Sequence, residues 1–187
     1  FALFLMTVLA VYYALRSRRA QIAWLLLASY CFYAGWDWRF CSLIAISTLV
    51  DFVAAQRIAR SGATPRVRRA WLLLSIATNL GILGFFKYAG FFVASAQQML
   101  ERVGLEGSSW TLEILLPVGI SFYTFQTLSY SIDIYRGRLA PAKSFRDFFL
   151  FVAFFPQLVA GPIVRAQELL PQFQRRQWPS PWRIQNG

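Results

Sequence analysis

The side chains with chemical potential in this chain are few, and most stand in apolar surroundings. Between 115 and 138 the run LLPVGISFYTFQTLSYSIDIYRGR carries Ser121, Thr124, Gln126, Thr127, Ser129, Ser131 and Asp133 among aliphatic and aromatic residues. On a helix turning about 100° per residue, Gln126, Ser129 and Asp133 fall within about one sixth of the circumference, beside Phe122 and with Leu128 and Ile132 pointing elsewhere. A polar stripe inside an apolar helix has two physical uses. It glues helices together through small polar groups, or it lines a water-filled path or tunnel. Pro117 suits the first turn of this helix, where a missing N–H costs nothing.

The remaining candidates are sparser. The carboxylates within apolar runs are Asp51 and Asp133, each placed where an arginine such as Arg57 or Arg136 could pair with it and fix a helix end. Cys31 and Cys41 lie in apolar runs without metal-ligand spacing and are expected to be buried structural thiols. With no histidine in the chain, Ser-His-Asp, Cys-His and histidine-ligated metal chemistry are excluded from these 187 residues. No catalytic residue and no metal ligand is therefore assigned. Nor is there a G-x-S-x-G elbow, a phosphate-binding glycine loop or a dinucleotide fingerprint.

Composition shows what must position these residues. Hydrophobic residues make up 57% of the chain, aromatic residues 18% and charged residues 14%. A soluble domain carries about 25% charge, so an all-α, polytopic transmembrane bundle is expected. Apolar runs near 1–15, 20–34, 40–56, 70–86, 114–135 and 147–161 suggest about six spans. The basic cluster after the first run, rather than before it, argues for a span and against a signal peptide. The run 70–100 is too long for one span; Gly81, Gly84, Lys87 and Gly90 suggest a break near Lys87 and an interfacial or re-entrant helix over 88–100. Lys87 would then snorkel at the outer interface or line a funnel there. Pro156 and Gly161–Pro162 interrupt the sixth run, and 164–173 reads as a short amphipathic surface helix ahead of a loop at 174–187.

The net charge of +11 might suggest nucleic acid, but its placement points to a bilayer. Loops 16–19, 57–69 and 136–146 hold twelve basic residues, whereas loops 35–39 and 101–113 hold only Arg39 and Arg102. That alternation follows the positive-inside rule and puts the N-terminus outside and the three basic loops in the cytoplasm. Trp24, Trp36, Trp38, Trp71 and Trp110 lie near expected span ends, as interfacial indoles do. The partners expected are a lipid bilayer and no nucleic acid.

Four ordered stretches carry a further signal: SYCFYAGWDWRF (29–40), LGFFKYAGFF (83–92), LLPVGISFYTFQTLSYSIDIYRG (115–137) and FPQLVAGPIVR (155–165). Together they resemble the membrane-bound O-acyltransferase family, in the branch of the alginate O-acetyltransferase membrane subunit, over about 21–173. The resemblance implies that 1–187 is the N-terminal part of a single membrane domain, and the start at Phe1 and the loop-like end at Gly187 are read as those of a fragment. It further implies a multi-pass protein of a bacterial inner membrane that moves acetyl groups from a cytoplasmic donor, such as acetyl-CoA, to an exopolysaccharide such as alginate. No bound cofactor is expected. The missing C-terminal half and periplasmic acetyltransferase subunits would be its partners. Members of the family use a histidine in a membrane tunnel as general base, with a second polar residue beside it, both well after the FPQLVAGPIVR motif. No position of this chain matches them, and a histidine stands in some relatives where Gln157 stands here. A membrane transporter or a non-catalytic membrane scaffold is the alternative.

Overall fold

A computed structural model describes residues 1–60, 62–102, 117, 119–160 and 164–174. The described residues form seven helices and no strand: α1 (Ala2–Ala14), α2 (Arg18–Ala59), α3 (Pro65–Arg102), α4 (Ile120–Tyr135), α5 (Phe145–Ala153), α6 (Phe155–Ala160) and α7 (Ala166–Gln174). Helices satisfy every backbone group internally, which apolar surroundings require. α2 is the central element and packs against α1, α3, α4, α5 and α6.

α2 and α3 are each long and apolar enough to cross a membrane. α2 is not one straight rod. Asp37 has extended dihedrals (φ −158°, ψ 116°), and its Oδ1 accepts from the Arg39 N–H at 2.9 Å, capping the second limb. The Cys41 thiol donates to the Tyr30 carbonyl at 3.8 Å. In a straight helix those residues would stand about 16 Å apart, so the chain folds back at Asp37. The limbs 18–36 and 38–59 are each about 30 Å long, the thickness of a bilayer core. The sequence expectation of a loop at 35–39 thus condenses to a single non-helical residue.

α3 departs from expectation. It runs unbroken through Gly81, Gly84, Lys87 and Gly90, so no separate helix begins at Tyr88. A glycine in a helix costs about 1 kcal/mol relative to alanine, whereas a break in apolar surroundings strands backbone groups at several kcal/mol each. Beyond Leu83 no described side chain of α3 is buried, and Lys87 lies over the ring of Tyr88 at 5.6 Å.

α4 begins at Ile120, so Pro117 precedes it instead of standing in its first turn; the Pro117 carbonyl accepts from the Ile120 N–H. Gly119 caps the helix at φ +76°, with Leu158 Cδ2 at 3.4 Å from where a Cβ would stand. The C-terminus closes in a Schellman turn. Gly137, at φ +71°, donates to Ile134 O and Arg138 donates to Asp133 O. Arg68 adds a hydrogen bond to Tyr135 O at 2.8 Å.

Cys31 is exposed and Cys41 half-buried, not enclosed as expected. Cys31 points out of the first limb of α2 while Ala28, Ser29 and Tyr33 point in. The expected break at Gly161–Pro162, most of the 101–113 loop, Trp110 and the tail from 175 lie outside the described residues.

Candidate functional site

Three helices converge on one polar cluster. Ser75 and Asn79 stand one turn apart on α3, Thr127 and Ser131 one turn apart on α4, and Asp51 faces them from the second limb of α2. All five are at most 1% exposed. Ser75 donates to Asp51 Oδ1 at 2.5 Å. Asn79 Nδ2 lies 2.9 Å from both Asp51 oxygens and 2.9 Å from Ser75 O, three acceptors for two hydrogens. Thr127 donates to Asn79 Oδ1 at 3.1 Å. Ser75 Oγ and Ser131 Oγ are 3.0 Å apart. Because Ser75 has one hydroxyl hydrogen and gives it to Asp51, Ser131 is the donor in that pair.

No arginine takes part. Among the described residues the one ion pair is Arg18–Asp147. Asp51 therefore does not pair with Arg57, whose guanidinium lies over the ring of Trp71 at 5.8 Å, and Asp133 does not pair with Arg136. A hydroxyl against a carboxylate resembles a nucleophile with its base, but a fully enclosed pair offers no approach for a substrate. The arrangement serves packing: it satisfies each member and fixes the rotation of α3 and α4 against α2.

The predicted α4 stripe lies at and beyond one edge of the helix's buried face, with Gln126 enclosed and Ser129 and Asp133 half-buried. The buried face of α4 carries Tyr123, Thr124, Thr127, Tyr130 and Ser131, while Phe122 and Phe125 are exposed on the opposite side. Ser129 and Asp133 are half-buried beside those phenylalanines. Ser129 donates to Gln126 O within its own helix at 2.8 Å. Leu128, expected to point away, is buried, because α4 packs against α2, α3 and α5 over more than half its circumference.

Gln126 differs from the other two. It is 2% exposed and donates to Phe151 O at 3.0 Å and, at 3.4 Å, to Gln157 Oε1. Phe151 O is a carbonyl that a continuous helix would satisfy with the N–H of residue 155. The chain breaks at Phe154 (φ −58°, ψ 104°), and the Phe155 N–H turns instead to Ser29 Oγ at 3.3 Å. Ser29 and Gln126 thus take the two backbone groups released by the α5–α6 break. Pro156, in the first turn of α6, lacks the donor that position does not need.

The basic rim forms a second region. Arg18 donates through Nε and Nη2 to Phe173 O near the end of α7 and stands 3.9 Å from Asp147 of α5. Ser144 caps α5 by accepting from the Asp147 N–H at 3.3 Å. The segment between α4 and α5 is clamped at Ala142, whose carbonyl accepts from Gln56 at 2.8 Å and whose N–H donates to the Tyr130 hydroxyl at 2.9 Å.

Sequence comparison gives relatives but no structural counterpart. The chain is 42% identical to a probable alginate O-acetylase AlgI of Pseudomonas aeruginosa, over 93% of this chain and 33% of that protein. It is 42% identical to the protein of the same description from Pseudomonas putida, over 93% of this chain and 36% of that one. It is 35% identical to a peptidoglycan O-acetyltransferase of Helicobacter pylori, over 81% of this chain and 32% of that protein. The resemblance to alginate O-acetylases read from the four motifs is borne out, and the chain spans about a third of the length of the curated relatives it matches. No family model matches, and no solved structure matches.

Proposed function

We propose that this chain is the N-terminal part of a membrane-bound O-acyltransferase domain whose whole protein transfers acetyl groups to an extracytoplasmic polysaccharide such as alginate. The observation that carries the reading is 42% identity over 93% of the chain to a probable alginate O-acetylase. In this reading the chain makes six spans of a bacterial inner membrane, N-terminus outside, and forms part of a tunnel wall. Acetyl-CoA or another activated acyl donor approaches from the cytoplasm, and periplasmic acetyltransferase subunits assist. The general base stands outside residues 1–187, since no histidine is available here. Ser129 and Asp133 would face the rest of the protein from the side of α4 that this chain leaves open, with Gln126, enclosed against Phe151 O, at the edge of that side. The transporter alternative needs a carboxylate on a water-filled path near the midplane, and Asp51 is fully enclosed.

The test is a chimera. The matching segment of the Pseudomonas aeruginosa relative is replaced by this chain, and O-acetyl groups on the secreted polysaccharide are measured in a strain lacking its own copy. Acetylation well above the empty-vector strain is expected, and residues 1–187 expressed alone should give none. A chimera that inserts in the membrane yet acetylates nothing, while one carrying the Pseudomonas putida segment does, would overturn the proposal. Acetylation by 1–187 alone would show that the base lies within it.

A further inference from the structure

At the junction of α1, α2, α5 and α7 the chain builds a site with a charged end and an apolar end. The charged end is an open cavity of about 660 Å³ whose lining includes Arg18, Arg19, Arg146 and Asp147. Arg18 is held by Phe173 O and Asp147, so the one carboxylate at this end is already engaged. Arg19 and Arg146 are exposed and have no ion-pair partner among the described residues. The apolar end is a groove of about 300 Å³ lined by Leu9, Leu25, Phe154 and Leu169 among others. A narrow cavity of about 30 Å³ joins them: it shares Arg18 and Ile22 with the charged end and Tyr12, Leu25 and Phe173 with the groove. Leu25 stands seven residues beyond Arg18 on α2, about 10 Å further along the helix. Cationic groups at one level and an apolar groove about 10 Å away repeat the order of a phospholipid along the membrane normal, phosphate first and acyl chain below.

We propose that this junction binds one anionic phospholipid, its headgroup phosphate between Arg19 and Arg146 and an acyl chain in the groove of Leu9, Leu25, Phe154 and Leu169. Charge complementarity selects the anionic head, because two unpaired guanidinium groups face the cavity and its carboxylate is bound to Arg18. The groove selects a lipid over a soluble phosphate, since a free anion leaves it unfilled. Anionic lipid is concentrated where basic membrane loops lie. The inference depends on the membrane reading and not on acetyl transfer.

Native mass spectrometry of the detergent-solubilised protein tests it, with short-chain phosphatidylglycerol, phosphatidylcholine of the same chain length, and inorganic phosphate as separate probes. Phosphatidylglycerol is expected to bind saturably, with phosphatidylcholine and phosphate much weaker. The double variant R19Q/R146Q should weaken phosphatidylglycerol by about 25-fold, at about fivefold for each arginine near the surface. The control R66Q/R69Q removes the same charge from exposed positions of α3 and should leave binding unchanged. Leu9→Gln should weaken the lipid without altering its preference for the anionic head. Equal binding of phosphatidylcholine, equal loss in the control, phosphate binding as tightly as the lipid, or no saturable lipid binding would each overturn the proposal.

Discussion

Asn79 is the hinge of the buried polar cluster, and replacing it by leucine gives the sharpest test of what holds the three central helices together. The variant removes the amide hydrogens shared by Asp51 and Ser75 O and the oxygen that Thr127 uses, while keeping the same branching and number of side-chain heavy atoms. Two interhelical contacts disappear, α3 to α2 and α3 to α4, each worth about 0.6–1.7 kcal/mol between membrane helices. Thr127 retains an alternative in Thr124 O at 3.1 Å. Asp51 loses the Asn79 amide while keeping Ser75, and a buried acceptor left short of donors costs about 1–3 kcal/mol. The expected destabilisation is about 3 kcal/mol, or about 6–12 °C in apparent Tm for a chain of this size. Thermal unfolding in nanodiscs of one fixed lipid composition measures it. The double variant D51L/N79L removes the stranded acceptor together with its donor, so it should be no less stable than N79L alone and show a coupling of at least about 1 kcal/mol. An unchanged Tm for N79L, or strict additivity in the double variant, would refute the claim that the cluster locks α2, α3 and α4 together.

Three further outcomes follow from other sites. Gly119→Ala should lower stability by about 1 kcal/mol or more, because a Cβ is strained at φ +76° and would stand 3.4 Å from Leu158; Gly35→Ala, with nothing within 4 Å, should not, and equal unfolding temperatures would contradict this. Tyr130→Phe leaves the Ala142 N–H without its buried acceptor, so a loss of about 1–3 kcal/mol is expected, with hydrogen exchange rising first at residues 140–144. For topology, cysteines introduced at Thr64 and at Trp38 in a background lacking Cys31 and Cys41 should label from opposite sides of the membrane, Thr64 from the cytoplasm; labelling of both from one side would remove the six-span reading.

Much of the helical framework was legible because its cause is periodic and local. Apolar runs flanked by arginines marked α1, the two limbs of α2 and the start of α3, and Asp37 fell within the short loop expected at 35–39. The failures have physical causes as well. Three glycines and a lysine suggested a break in α3, but apolar surroundings hold a helix together through residues that would loosen it in water. On a helical wheel Gln126, Ser129 and Asp133 align as a single stripe. Ser129 bonds its own backbone, Gln126 reaches Phe151 O of α5, and Thr127 and Ser131 reach α3 from the buried face. A better signal was present. Ser75 with Asn79 and Thr127 with Ser131 are polar pairs one turn apart within apolar helices, and each places two polar groups at one depth range facing a partner. Only the tertiary arrangement shows that Asp51 is the residue they share.

The two polar faces of α4 therefore have different standing. On the inner face Thr127 and Ser131 join Asn79, Ser75 and the Asp51 carboxylate in one network, and α4 cannot rotate without breaking it. On the outer side Ser129 is satisfied locally, and Asp133 lies within a turn of the helix end, where its backbone carbonyl closes the Schellman turn. Neither requires a neighbour. Gln126 does, because among the described residues it is the side chain that donates to Phe151 O once the Phe155 N–H has turned to Ser29. A leucine at position 126 would strand that carbonyl beside the α5–α6 break, whereas valine at position 128 removes a single methylene from a packed contact. Any role of the α4 stripe in a tunnel must therefore rest on Gln126 and its neighbour Gln157, the pair standing where the sixth apolar run gives up its helical hydrogen bonding.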